Sequence, residues 1–230
     1  MLPIDLTTIP RQSFSESALK DHGAVFYVEE EATLYSAPEV HLWDQYLKAK
    51  KLAKIDETLL NEDARRIAQA LRQVDLKKFK SPWNVHYTSH EPERDFSNLL
   101  FEHANLFDSF VKMPNQGGYS FPYSYKPAKS AKTHTANETF NPDFFIRMRA
   151  KHDILVVEIK GEGDDSNRNR AKCRDGLTHF DTLNTKLSEM NEPWQYYFYF
   201  LSPEDYTIYF EQVKKATFKG WKSGLMQSLI

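Results

Sequence analysis

The sequence predicts an α/β or α+β protein: a mixed central sheet flanked by helices, with an N-terminal, mostly helical lobe in front of it. Three observations carry this. From about residue 91 onward, segments of strand character alternate with segments of helical periodicity. ILVV at 154–157 is apolar on both faces of its strand, which suits a central position covered by helices on either side. SPWNVHYTSHEP at 81–92 breaks the helical pattern with two prolines and small polar residues, dividing the chain into a lobe over 1–90 and a domain over 91–230.

A chain of 230 residues that is 40% hydrophobic and 27% charged can bury a proper core, which excludes the composition of intrinsic disorder. Cys173 has no second cysteine to pair with, so neither a disulfide nor a cysteine-rich zinc site is available, and a reducing, cytoplasmic setting is expected. MLPIDLTTIPRQSF has no long apolar core behind a basic segment, so no secretion signal is expected. The most apolar run, YYFYFL at 196–201, falls short of the roughly 20 residues of a membrane helix, and no membrane partner is expected. A net charge of −2 lacks the basic balance of a dedicated nucleic-acid binder. Any polyanion site is therefore a local patch or is helped by another polypeptide.

In the first lobe, AVFYV at 24–28 and ATLYS at 32–36 read as a hairpin around the acidic EEE at 29–31. A helix over 39–55 aligns Leu42, Tyr46, Ala49 and Ala53. A second over 62–74 aligns Ile67, Leu71 and Val74 and leaves Arg65, Arg66 and Arg72 on its solvated face. ERDFSNLLFEHANLF then puts Phe96, Leu99, Leu100, His103 and Phe107 on one helical face, with Glu93 in the first turn, where the helix dipole favours a carboxylate.

Strands are expected at FVKM (110–113) and YSFPYSY (119–125) with a Gly117-Gly118 turn between them, followed by a polar loop over 126–139. PDFFIRM and DILVVEIK form an antiparallel hairpin closed by RAKHD. A helix over 168–190 follows, then strands at QYYFYFLS and TIYFEQV.

The strand period of two sends Glu158 and Lys160 to the same side and Ile159 to the other. The hairpin brings Asp143, at the start of the preceding strand, toward the exit of the Glu158 strand. One ammonium does not fully neutralise two nearby carboxylates, whereas a hard divalent ion does. Mg²⁺ binds oxygen ligands at about 2.0 to 2.1 Å and keeps several waters, so two carboxylates and the Ile159 backbone carbonyl suffice. Such an ion activates a water and offsets charge on phosphorus, while Lys160 orients or deprotonates that water. The plainer reading is a strand end turning polar as it meets water.

Pro142-Asp143, about fifteen residues, then Glu158-x-Lys160 is the PD-(D/E)xK nuclease pattern. Together with ERDFSNLL, FVKMP, SFPYSY, NRNRAKCRD and EPWQYYFYFLS, residues 91–210 resemble the C-terminal nuclease domain of type III restriction endonuclease subunits and related superfamily 2 helicases. The resemblance implies a restriction-endonuclease-like fold and cleavage of DNA with Mg²⁺ or Mn²⁺. Asp143, Glu158 and Lys160 are then the catalytic core, and Glu93 a helix carboxylate touching the metal or its waters. Lys172 matches a lysine of related nucleases and is expected on a phosphate. Arg168 and Arg170 beside it are either further DNA contacts or a solvated helix face. The chain has no GxxxxGK[ST] loop, so it is either a standalone nuclease or a fragment or subunit whose motor lies elsewhere, and a helicase, an ATPase subunit or another partner in defence or repair is expected to deliver substrate. The alternative is a catalytically silent nuclease-fold module for nucleic-acid binding or assembly.

Overall fold

The computed structural model describes residues 25–28, 33–36, 71–73, 77–80, 85–88, 90–113, 119–127, 135–149 and 151–230. They fall into two compact units that divide between Arg94 and Asp95. The first contains two antiparallel pairs, β1 (Val25–Val28) with β2 (Thr33–Ser36) and β3 (Leu71–Gln73) with β4 (Val85–Tyr87). The helix expected over 62–74 is corrected at its end. Leu71–Gln73 are a strand there, because pairing with a distant partner overrides local periodicity. The rest of that helix, the helix expected over 39–55 and the Gly117-Gly118 turn lie outside the described residues.

Along the remaining chain run α1 (Glu91–Glu102), β5 (Phe107–Lys112), β6 (Phe121–Tyr125), β7 (Ala136–Phe140), β8 (Phe144–Met148), β9 (Asp153–Ile159), α2 (Asn167–Glu189), β10 (Gln195–Leu201), α3 (Tyr206–Lys214) and α4 (Gly224–Leu229). The centre of the second unit is a mixed four-stranded sheet in the order β10, β9, β8, β5. β9 is parallel to β10 and antiparallel to β8, which is antiparallel to β5. Every residue of β9 is buried, as the doubly apolar ILVV run requires of a central strand.

Each face of the sheet has its own cover. Ile154 and Val156 of β9 join Phe145, Ala171, Phe180, Phe198 and Phe200 in one core cluster beneath α2. On the other side the fully buried Phe96 of α1 meets Phe144, Tyr206, Tyr209 and Phe210 at centroid distances of 5.2 to 5.7 Å, so α1 and α3 close that face. Burial of a Phe side chain of this kind is worth about 1.5–3 kcal/mol. Among the described residues no helix is long and apolar enough to cross a membrane.

Three local expectations are corrected. TIYFEQV is a helix, α3, not a strand: Tyr206, Tyr209, Phe210 and Val213 are buried at helical spacing. Asp205, just before α3, accepts a hydrogen bond from the Ser202 amide at 3.0 Å and so fixes the turn that starts the helix. Phe107 opens β5 instead of lying on the helix face, because α1 ends at Glu102 and a short 3₁₀ turn, Ala104–Leu106, redirects the chain. The polar stretch 126–139 contains most of β7, whose alternate residues are exposed and need no apolar pattern to pair with β6.

Candidate active site

The register of β8 and β9 pairs Phe144 with Val157, so one step further out Asp143 stands opposite Glu158. Asp143 is held from two sides. Its backbone carbonyl accepts from the Met113 amide and its Oδ2 from the Ile159 amide, both at 2.7 Å. Glu158 is 2% exposed and one residue from the end of β9. Lys160 brings Nζ within 2.7 Å of Glu158 Oε1, and Lys172, reaching across from α2, lies 3.4 Å from the same oxygen. Glu158 Oε2 is buried without a hydrogen-bond partner.

The helix that delivers Lys172 is positioned by its own ends. Ser166 caps α2 by accepting from the Asn169 amide at 3.3 Å, and Asn191, at φ 57°, turns the chain away just after its last residues. Close packing of α2 on β10 depends on Gly176, where a Cβ would lie 2.5 Å from Phe198 Cε1. The Lys172 ammonium rests over the rings of Phe140 and Tyr123, with centroids 4.8 and 6.0 Å away.

Burial, reinforced by the facing Glu158 charge, pushes the Asp143 carboxyl up to about 7, against the opposing pull of Lys160, Lys112 and the Ile159 amide. Burial likewise draws the Lys172 ammonium below the ordinary lysine range, with Glu158 acting in the other direction. A buried carboxylate needs compensation, and the two lysines on Oε1 supply it for Glu158. The orphaned Oε2 still costs about 1–3 kcal/mol.

That orphan oxygen and the Asp143 carboxylate offer only oxygen donors at the sheet end, the kind a hard divalent ion takes. Among the described residues no three or more His, Cys, Asp or Glu side chains converge as a metal site. An ion here would rest on two side-chain carboxylates, backbone and water, which is an ordinary arrangement for Mg²⁺.

The structure thus brings together Asp143, Glu158, Lys160 and Lys172. Glu93 lies in the first turn of α1, on the far side of the Arg94–Asp95 division, with Oε1 3.6 Å from His90 Nδ1. The two arginines are engaged elsewhere. Arg168 donates to Tyr123 Oη at 2.8 Å and pairs with Glu138, which also accepts from Tyr123 and Tyr125. Arg170 bonds Asp165 and, at 2.9 Å, the Ser228 carbonyl. Sequence reasoning does not reach the β6–β7 pair that shelters Lys172, because it meets the site only through tertiary contacts. No protein-family model matches the chain, and no curated protein or solved structure matches it.

Proposed function

We propose that the protein is a metal-dependent nuclease of the PD-(D/E)xK type that hydrolyses phosphodiester bonds in DNA. The observation that carries this reading is the pair of facing carboxylates at the sheet end, one with a buried, unpartnered oxygen, and a lysine 2.7 Å from the other oxygen of that group. The segments that carry the resemblance fold as the helices α1 and α2 and the strands β5, β6, β8, β9 and β10, which also supports it.

Asp143, Glu158 and the Ile159 carbonyl would hold Mg²⁺ or Mn²⁺. When bound, such an ion lowers the pKa of a coordinated water and offsets charge on the phosphoryl oxygens. Lys160, anchored on Glu158, orients the attacking water. The water oxygen bonds to phosphorus and gives up a proton to solvent as the bond to the leaving sugar oxygen breaks, and that oxygen takes up a proton from solvent. Lys172 fixes Glu158 from the helix side, and the Phe140 and Tyr123 rings limit water around its ammonium. Without a P-loop of its own, the chain would depend on a helicase or ATPase partner to deliver substrate.

The test is cleavage of labelled single-stranded, duplex and branched DNA with added Mg²⁺ or Mn²⁺. Asp143→Ala is expected to lose at least about 10²–10³-fold in rate, the scale of removing one electrostatic stabiliser. Parental cleavage by this variant would overturn the reading, and parental cleavage by Glu93→Gln would remove Glu93 from the site. One observation favours the silent-module alternative: Glu158 already has two lysines on Oε1 and so is charge-compensated without a metal. DNA binding with no cleavage in any divalent ion would decide for it.

A further inference from the structure

We propose that Tyr123 is a positioning residue of this site, holding the Lys172 ammonium against Glu158, an assignment that rests on the nuclease reading above. Arg168, Lys172, Asp175 and His179 follow one another on α2 at spacings of four, three and four, so they lie along one face of the helix. All four meet β6. Arg168 Nε donates to Tyr123 Oη at 2.8 Å, and the Lys172 ammonium lies over the Tyr123 ring. Asp175 accepts from the Ser124 amide at 3.1 Å, and the His179 ring stacks on Phe121 at 4.1 Å. The β6–β7 pair, which is not part of the four-stranded sheet, is thereby fastened along the helix that delivers Lys172.

The register sets Glu138 of β7 opposite Tyr123. Tyr123 Oη donates to Glu138 and accepts from Arg168, and Arg168 pairs with Glu138 in turn, so the hydroxyl is tied on both sides and the ring keeps one orientation. Tyr125, stacked on Tyr123 at 5.9 Å, donates to the same carboxylate at 3.0 Å. Tyr123 is 2% exposed, so it reaches the reaction only through its neighbours, and the neighbour that touches Glu158 is Lys172. A lysine is a point charge on a flexible four-carbon stem. The faces of Phe140 and Tyr123 attract that charge and confine it on one side, which leaves it against Glu158 Oε1. Arg168, which the sequence offers as a DNA contact, becomes part of the latch on this ring.

The experiment compares the parent with Tyr123→Phe, which keeps the ring and loses the latch, with Arg168→Gln, with Lys172→Met and with the double variant Tyr123→Phe/Lys172→Met. Cleavage kinetics are measured with Mg²⁺, thermal midpoints in chelator, and duplex binding in chelator across a salt series. Tyr123→Phe is expected to lower kcat about 10-fold at a parental KM, the lower end of the cost of removing an outer-shell partner. In the Lys172→Met background the same change costs nothing further, because the two residues act as one unit. Arg168→Gln matches Tyr123→Phe and keeps the parental slope of log affinity against log salt. If Lys172→Met does not fold by its thermal midpoint, Lys172→Gln takes its place. A parental kcat in Tyr123→Phe overturns the assignment, as does an equal loss with and without Lys172, which would make Tyr123 a packing residue only. A slope flattened by about 0.9 in Arg168→Gln also overturns it, because Arg168 would then face a phosphate. If none of the proteins cleaves DNA, the nuclease reading fails and the midpoints decide. A midpoint that Tyr123→Phe lowers in the parent but not in the Lys172→Met background keeps Tyr123 on Lys172, and equal shifts in the two backgrounds overturn the assignment as well.

Discussion

A carboxylate that shares a buried sheet end with another carboxylate must find a cation or keep its proton. Asp143, pushed up to about 7, keeps its proton over much of the pH range, while Glu158 takes the two lysines. The ordinary aspartate value is 3.8, so between about pH 4 and 7 the folded protein holds a proton that the unfolded chain has lost. The stability linked to this proton is fully present below the unfolded value and is lost as pH rises through the folded one. Asparagine at 143 can still accept from the Ile159 amide but never ionises. In chelator, the thermal midpoint of Asp143→Asn should therefore gain on that of the parent progressively from about pH 4 to about pH 7 and then hold a constant lead. A difference that does not change with pH would mean that Asp143 titrates as an ordinary exposed carboxylate. The Glu-x-Lys half of this cluster is legible in the sequence because the strand period is a local property. The engagement of Lys172 with Glu158 is not, since it depends on where α2 crosses the sheet.

At the level of elements, apolar pattern identifies β8, β9, β10 and α2, whose periodicities are strong, and fails where chemistry and period disagree. TIYFEQV is rich in β-branched and aromatic residues, yet the Ser-Pro-Glu-Asp turn before it is a helix-start signal. Asp205 makes the start doubly firm by also accepting from the Gly224 amide, at 2.7 Å, at the beginning of α4. β7 is invisible to such patterns because it is short and its central inward residue, Glu138, is polar, the acceptor for Tyr123, Tyr125 and Arg168. Gly176 is a packing element that composition alone cannot explain. Alanine there would gain about 1 kcal/mol of helix propensity. Its Cβ would also meet a Phe198 ring that stacks on Phe180 at 5.5 Å and stands edge-on to Phe140 at 6.0 Å, which leaves that ring nowhere cheap to go. Overpacking of this kind costs about 1–3 kcal/mol, so Gly176→Ala should lower the denaturation midpoint by up to about 2 kcal/mol in stability. It should slow cleavage as well, since Lys172 rides one turn away on the same helix. A midpoint at or above the parental one would show that α2 and β10 have slack between them.

For the whole molecule, charge sets the limit on what the chain does unaided. Its 30 lysines and arginines face 32 aspartates and glutamates, so no general attraction holds DNA on the surface. The acidic run Glu162, Asp164 and Asp165 directly follows the Glu-x-Lys strand and opposes any broad basic track there. On the proposed reading, binding rests on Lys160 and Lys172 at the sheet end. If each engages one phosphate, the slope of log affinity against log salt is about −1.8, so affinity should fall roughly 12-fold between about 50 and about 200 mM salt. Cleavage by the chain alone should fade over the same range. A partner that supplies a longer row of phosphate contacts should restore it, because each added contact raises affinity by the same counterion release. A filter-binding or fluorescence titration across that series is the measurement. Tight binding that hardly responds to salt would contradict the charge argument and would mean that aromatic stacking on bases, not phosphate neutralisation, carries the contact.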